Sequence, residues 1–170
     1  EEVGVAFVNN PGALEKWENA GADVDGERVH VPKGLARKLI STAPAKFTQH
    51  ARNPDRSVEI GGNSLVCAPV YGPPFVRDLN GGRRYATIED FQKFVKLGYM
   101  SKWLHHSGGP LCEPTDVPVN KRHLDMLLAH MTLSDKPFMG SVTEPSRAQD
   151  SVDMCQILFG REFVQNNTVM

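Results

Sequence analysis

Two stretches hold the residue types that could do chemistry. Ala68-Pro-Val-Tyr-Gly-Pro-Pro-Phe-Val-Arg-Asp78 and Leu104-His-His-Ser-Gly-Gly-Pro-Leu-Cys-Glu-Pro114 each begin as a short apolar run. Each then breaks into Gly, Pro, aromatic and ionisable residues, and Phe138-Met-Gly-Ser-Val-Thr-Glu-Pro145 repeats the pattern. A strand that stops at a Pro- and Gly-rich bend leaves its last side chains at a sheet edge. In parallel α/β folds ligands bind at that edge. The candidates for ligand contact are therefore Tyr71, Phe75 and Asp78 in the first bend. His105, His106 and Glu113 follow in the second, and Ser141 and Glu144 in the third.

His105 and His106 are adjacent, so on a strand they point to opposite faces, and at most one of them faces a given ligand. His105, His106 and Cys112 lie close in sequence, but their spacing matches no zinc pattern, and no metal site is expected. Gly61-Gly62, Gly81-Gly82-Arg83-Arg84 and Gly108-Gly109 form no phosphate loop. Arg83 and Arg84 read as a hairpin tip, open to contact with a phosphate or a partner protein. Cys67, Cys112 and Cys155 are too few for a disulfide framework, and their odd count points to a reducing compartment, the cytoplasm. Cys155 shares a helical stripe with Ala148, Val152 and Phe159 and is expected in the core.

The elements that position these residues follow from punctuation and periodicity. Residues 1–62 read as a small α+β lead-in. Pro11 opens a helix that Gly21 stops. Asp25-Gly26 marks a hairpin, Pro32 starts a second helix, and Lys46 to Arg52 reads as a strand before the turn at Asn53-Pro54-Asp55-Arg56. From residue 63 the rhythm changes. Strands are expected at Ser64–Val70, Trp103–His106 and Pro137–Val142, and Asn80-Gly81-Gly82 signals a hairpin. Thr87 and Asp90 form a capping box for a helix with the stripe Ile88, Phe91, Phe94, Val95 and Gly98. A helix from Val119 is expected to bury Leu124, Leu127, Leu128 and Met131, with His123 and His130 on its flank. A third helix has Pro145 in its first turn, and Val169 and Met170 read as the start of another strand. The order β-α-β-α-β-α-β is that of an α/β fold with crossover helices. The expected architecture is a partial TIM (β/α) barrel over residues 63–170, behind the lead-in. A full barrel needs about 250 residues.

The formal net charge is -1 and 40% of the 170 residues are hydrophobic, an ordinary globular composition. No basic excess supports nucleic-acid binding. No apolar run approaches the roughly 18 residues of a membrane span. The chain opens Glu-Glu-Val, which fits a processed or truncated chain.

Four segments closely resemble the trimethylamine–corrinoid protein methyltransferase family: Ala68 to Asp78, His105-His-Ser-Gly-Gly109, Pro118-Val-Asn-Lys-Arg-His-Leu-Asp125 and Ser134-Asp-Lys-Pro-Phe-Met-Gly-Ser-Val-Thr143. The resemblance covers the chain and matches the N-terminal third of a family member. It implies a TIM-barrel enzyme that moves a methyl group from a methylated amine to the cobalt of a corrinoid. The corrinoid is carried by a separate partner protein, so this chain is expected to bind no corrinoid directly. One branch of the family uses trimethylamine and pyrrolysine, and another uses quaternary amines such as glycine betaine. The position that separates them falls beyond residue 170.

Such a transfer implies that the protein holds a small cation in line with the cobalt and excludes water. Aromatic faces hold such cations, at roughly 0.5–2 kcal/mol each, with carboxylates nearby. Tyr71, Phe75, Asp78, Glu113 and Glu144 are the right types, and packing, turn and helix-start roles remain the alternatives for each. His105 or His106 would hydrogen-bond the carboxylate of a betaine-like substrate, or Glu113. The alternative for the whole chain is a non-catalytic truncated barrel that retains part of a cation pocket. The chain alone is expected to be an incomplete fragment without catalytic competence, and a homo-oligomer is left open.

Overall fold

Local signals set the smaller of two compact units, Glu1–Ala45. The computed structural model describes residues 2–170. Strand β1 is Val5–Ala6. Helix α1, Pro11–Asn19, begins where the Asn10 side chain accepts the Ala13 N–H at 3.1 Å. The Asp25-Gly26 turn joins β2, Asp23–Asp25, to β3, Arg28–His30. Gly26 sits there at φ 58°, in the left-handed region that favours glycine. The sheet order is β1-β3-β2, all antiparallel, with Val29 fully buried at its centre. A short helix α2, Leu35–Ile40, follows.

The larger unit is Lys46–Met170. Strand β4, Lys46–Gln49, pairs antiparallel with β5, Val58–Gly61, across a 3-10 turn at Pro54–Arg56. The change of sequence rhythm falls near residue 62, whereas the compact units divide after Ala45. The hairpin between those positions packs with the larger unit through Gln49, whose Nε2 donates to the Phe138 carbonyl at 2.9 Å. Strands β6, Phe75–Asp78, and β7, Gly82–Tyr85, form a second hairpin around the glycine turn. Four helices complete the unit: α3, Ile88–Met100; α4, Val119–Leu133; α5, Pro145–Phe159; and α6, Arg161–Asn166. The sequence reading did not separate β5 or α6.

Among the described residues this is a mixed α/β chain with six helices, three small antiparallel sheets and no closed barrel. The strands expected at Ser64–Val70, Trp103–His106 and Pro137–Val142 are instead irregular chain without a regular ladder, with Trp103 in a turn and His106 in a bend. In the first and third segments proline supplies a physical reason, since Pro69 and Pro137 have no N–H to donate. The segments still lie side by side. Cys67 accepts from the His105 N–H at 2.9 Å, the Ser107 N–H donates to Pro137 and the Met139 N–H to Gly108, both at 2.8 Å. In the last pair of bonds residue numbers advance together, so those two segments run parallel. The Val169–Met170 region enters one parallel bridge, Gln49 with Thr168.

Two apolar clusters hold the larger unit. The first gathers Val76, Ala86, Phe91, Val95, Leu111, Cys112, Met126 and Ala129. The second gathers Leu127, Met131, Phe138, Cys155 and Val169. Cys155 is 1% exposed, as its stripe requires, and Val152 of that stripe is exposed. Helix α4 contributes to both clusters, so it buries more than one face. Hence Leu128 is exposed while His123 and His130 are buried, the reverse of the one-face expectation. In α3 the expected box forms, with Thr87 capping Asp90 and Asp90 returning to the Thr87 N–H.

Lys136 closes the C-terminal end of α3. It is 2% exposed. Its Nζ donates to the carbonyls of Gly98, Ser101 and Leu104 at 2.8, 2.8 and 2.7 Å. A cation there satisfies helix carbonyls that have no partner inside the helix. Burial lowers its pKa from the ordinary lysine value. Lys136→Met keeps the apolar stem and strands three carbonyls, so it should destabilise the protein by about 3 kcal/mol. Urea unfolding checks this; an unchanged midpoint would refute the role.

Candidate functional site

The bends after Val70 and after Gly109 are neighbours because their backbones bond to each other. The Gly72 N–H donates to Pro110 at 2.7 Å and the Glu113 N–H to Pro73 at 3.0 Å. This brings Tyr71, which is 48% exposed, and Glu113 to adjoining bends. The Glu113 carboxylate accepts from Arg122 at 3.3 Å. The third bend joins through its backbone, from Met139 to Gly108. Ser141 is half-buried, and among the described residues no hydrogen bond links its side chain to the first two bends. Glu144 is exposed at the start of α5 and pairs with Arg147 at 3.1 Å.

Phe75 and Asp78 lie on the β6–β7 hairpin. The Phe75 ring packs on Tyr85, centroids 4.6 Å apart, and the Arg83 guanidinium stands 3.7 Å over its face. Asp78 accepts from the backbone of Asn80 and Gly81 and holds the turn, which lowers its pKa. Arg84 is exposed, as expected, and forms a two-pronged ion pair with Asp90. That pair, above all other causes, holds the Asp90 carboxyl well below the usual range. An apolar groove of about 430 Å³ runs beside the hairpin, lined by Val70, Phe75, Phe94, Leu97, Leu104 and Leu111 among others.

The two adjacent histidines part company. His105 is exposed, and its Nδ1 accepts from the Cys67 N–H at 3.1 Å. It borders a shallow recess with Arg56, Ser57 and Lys136. His106 is buried at 3% exposure. Its Nδ1 accepts from the Gly108 N–H at 2.8 Å, so its proton is on Nε2, which donates to Gln49 Oε1 at 3.2 Å. His130 stands beyond. Its Nε2 donates to the Gly109 carbonyl at 2.8 Å, so its Nδ1 accepts from the Ser107 hydroxyl at 2.7 Å. Both imidazoles are neutral, and burial pushes both pKa values down to about 4. Together they fix the Ser107–Pro110 bend from beneath. Gly108 is at φ 92° within it, where a Cβ would meet the Leu111 side chain at 2.7 Å. Sequence reasoning missed His130, Ser107 and Gln49 as a set.

Cys112 is fully buried, and burial pushes its thiol up to about 12, which leaves no thiolate near neutrality. Among the described residues no group of three or more His, Cys, Asp or Glu side chains is placed to hold a metal ion. No helix among them is long and apolar enough to cross a membrane.

Hydrogen-bonded bends around Gly72, Gly108 and Met139, packed with helices in a mixed α/β unit, are the setting in which the family is identified. The trimethylamine methyltransferase (MTTB) family model matches residues 1–170, and the chain belongs to that family. It is 46% identical over 160 residues to a glycine betaine methyltransferase of Desulfitobacterium hafniense (strain Y51), covering 94% of this chain and 33% of that protein. It is 32% identical over 97 residues to an L-carnitine:corrinoid methyltransferase of Eubacterium limosum, covering 56% and 19%. A proline betaine:corrinoid methyltransferase of the same organism is 27% identical over 146 residues, covering 84% and 29%. The chain spans a third or less of the length of these curated relatives.

The two buried histidines give a definite pH dependence. Their folded pKa of about 4 lies below the unfolded value near 6.5, so the unfolded chain takes up protons first as pH falls. Stability is therefore complete above about pH 6.5 and declines between there and pH 4, by on the order of 1–3 kcal/mol for each histidine. His130→Gln can keep a donor to Gly109 and an acceptor for Ser107. Denaturant unfolding from pH 7.5 to 4 should show a shallower decline for this variant than for the natural chain. Equal slopes would remove His130 from the account.

Proposed function

We propose that this chain is part of the machinery that takes a methyl group from a quaternary amine of the betaine type and delivers it to the cobalt of a corrinoid protein. The observation that carries this is the family match along the whole chain, with 46% identity to the glycine betaine methyltransferase. Glycine betaine, carnitine and proline betaine share one chemistry, a quaternary ammonium group and a carboxylate on a small frame. The corrinoid supplies the cobalt that accepts the methyl group. This chain's own residues supply binding, orientation and exclusion of water. The extended segments from residue 63 onward are an arc of a (β/α) barrel, and the bends at Tyr71, Glu113, Ser141 and Glu144 lie on its ligand-binding rim. Tyr71 offers an exposed aromatic face to the ammonium group. Glu113, held by Arg122, adds negative charge on the adjoining bend. His105 is the histidine with an exposed side chain, suited to the substrate carboxylate. Three free cysteines fit a reducing compartment, the cytoplasm.

The test offers the protein, at the full length of its relatives, trimethylamine, glycine betaine, carnitine and proline betaine together with a reduced corrinoid protein, and follows the cobalt absorption spectrum. Glycine betaine should be demethylated and trimethylamine should not. Failure with every amine would overturn the function, and preference for trimethylamine would overturn the substrate class. Tyr71→Ala should raise the KM for the amine by roughly 2- to 30-fold, the value of one aromatic–cation contact. An unchanged KM would place the ammonium group elsewhere.

A further inference from the structure

The β6–β7 hairpin has two unlike faces, fixed by its register. Phe75 faces Tyr85, Val76 faces Arg84, Arg77 faces Arg83 and Asp78 faces Gly82. Directly opposed residues share a face. The inner face holds Val76, which is buried, and Arg84, which is exposed but committed to Asp90. The outer face holds Phe75, Tyr85, Arg77 and Arg83. Its two arginines therefore stand directly opposite each other, and like charges in that position are destabilising. Among the described residues neither takes part in a salt bridge. The Arg83 guanidinium stands over the Phe75 ring, which orders it.

We propose that this outer face is a docking surface for a carboxylate-bearing patch of a partner protein, the corrinoid protein under the function proposed above, on which the identity of the partner rests. Two opposed guanidinium forks match carboxylates in geometry, and a carboxylate between them relieves their repulsion. The surroundings are those of a protein interface. Leu79 is fully exposed at the turn, Tyr85 is 60% and Val70 92% exposed, and the apolar groove opens alongside. Arginine and aromatic side chains around apolar surface are what interface cores favour. The net charge of -1 and the absence of a basic stripe argue against nucleic acid as the anion.

Binding of the corrinoid protein to the full chain, measured by calorimetry at several ionic strengths, tests this. Arg77→Glu turns a repulsive cross-strand pair into an attractive one, so it should leave the melting temperature unchanged or higher. It should nevertheless weaken binding by about tenfold, and Arg77→Glu with Arg83→Glu should do so further. Binding should weaken with salt in the natural chain and much less in the double variant. Methyl transfer to free cob(I)alamin, which has no protein surface, should be equal in natural chain and variants. Undiminished binding by the double variant would overturn the proposal, as would an equal loss of transfer to free cob(I)alamin. Salt-sensitive, Arg77-dependent binding would uphold the docking surface even if no amine were demethylated, which separates it from the substrate assay.

Discussion

A backbone bend without secondary structure keeps its shape only if its polar groups find partners, and here two neutral imidazoles provide them. His106 and His130 each use one ring nitrogen as donor and the other as acceptor. Between them they satisfy the Gly108 N–H, the Gly109 carbonyl and the Ser107 hydroxyl. A buried polar group left without a partner costs about 1–3 kcal/mol, so the set is held together by what its failure would cost. The same bend receives Gly72 on one side and Met139 on the other. Its fixed shape is thus passed to all three segments that carry candidate ligand contacts.

The supports of that bend come from distant parts of the chain. Gln49 reaches His106 from the β4–β5 hairpin and also holds the Phe138 carbonyl. His130 comes from α4, the helix that contributes to both apolar clusters. Its ring lies edge-on to Phe91, centroids 5.3 Å apart, and stacks on Phe138 at 6.3 Å. The polar network and the apolar core therefore share residues. Disturbing the packing around Phe91 or Phe138 would misplace the donor to Gly109, and the bend with it.

What the sequence made legible was local. The capping box at Thr87 and Asp90, Pro11 and Pro145 at helix starts, and the turns at Asp25-Gly26 and Gly81-Gly82 each act within about four residues, so composition reveals them. What it hid was non-local. Gln49 meets His106 across 57 residues, His130 meets Ser107 across 23, and Lys136 reaches back 38 to Gly98. Nothing in their neighbours announces such partners. The face of α4 is legible only in part, with Leu127 and Met131 buried as expected. Periodicity reports which positions are apolar, but a helix flanked on two sides also buries His123 and His130 and leaves Leu128 outside. Pro69 and Pro137, in two of the expected strands, interrupt the ladder that the apolar runs suggest.

Residue type also proved ambiguous between two roles that geometry separates. Phe75 and Tyr71 are both aromatic residues in one Pro-rich bend and look equally suited to a cation. The structure gives one face of Phe75 to Arg83 and its neighbouring surface to Tyr85, whereas Tyr71 stands at the bend that Pro110 anchors. An external ammonium ion on that face of Phe75 would have to displace a guanidinium already in place. The aromatic and charged residues of this one stretch therefore divide, with Tyr71 exposed on a bend whose backbone is bonded to that of Glu113 and Phe75 tied to an arginine-bearing hairpin face. That division follows from register. Once Val76 is buried against Phe91 and its neighbours, alternation puts Phe75 and Arg77 together on the opposite side.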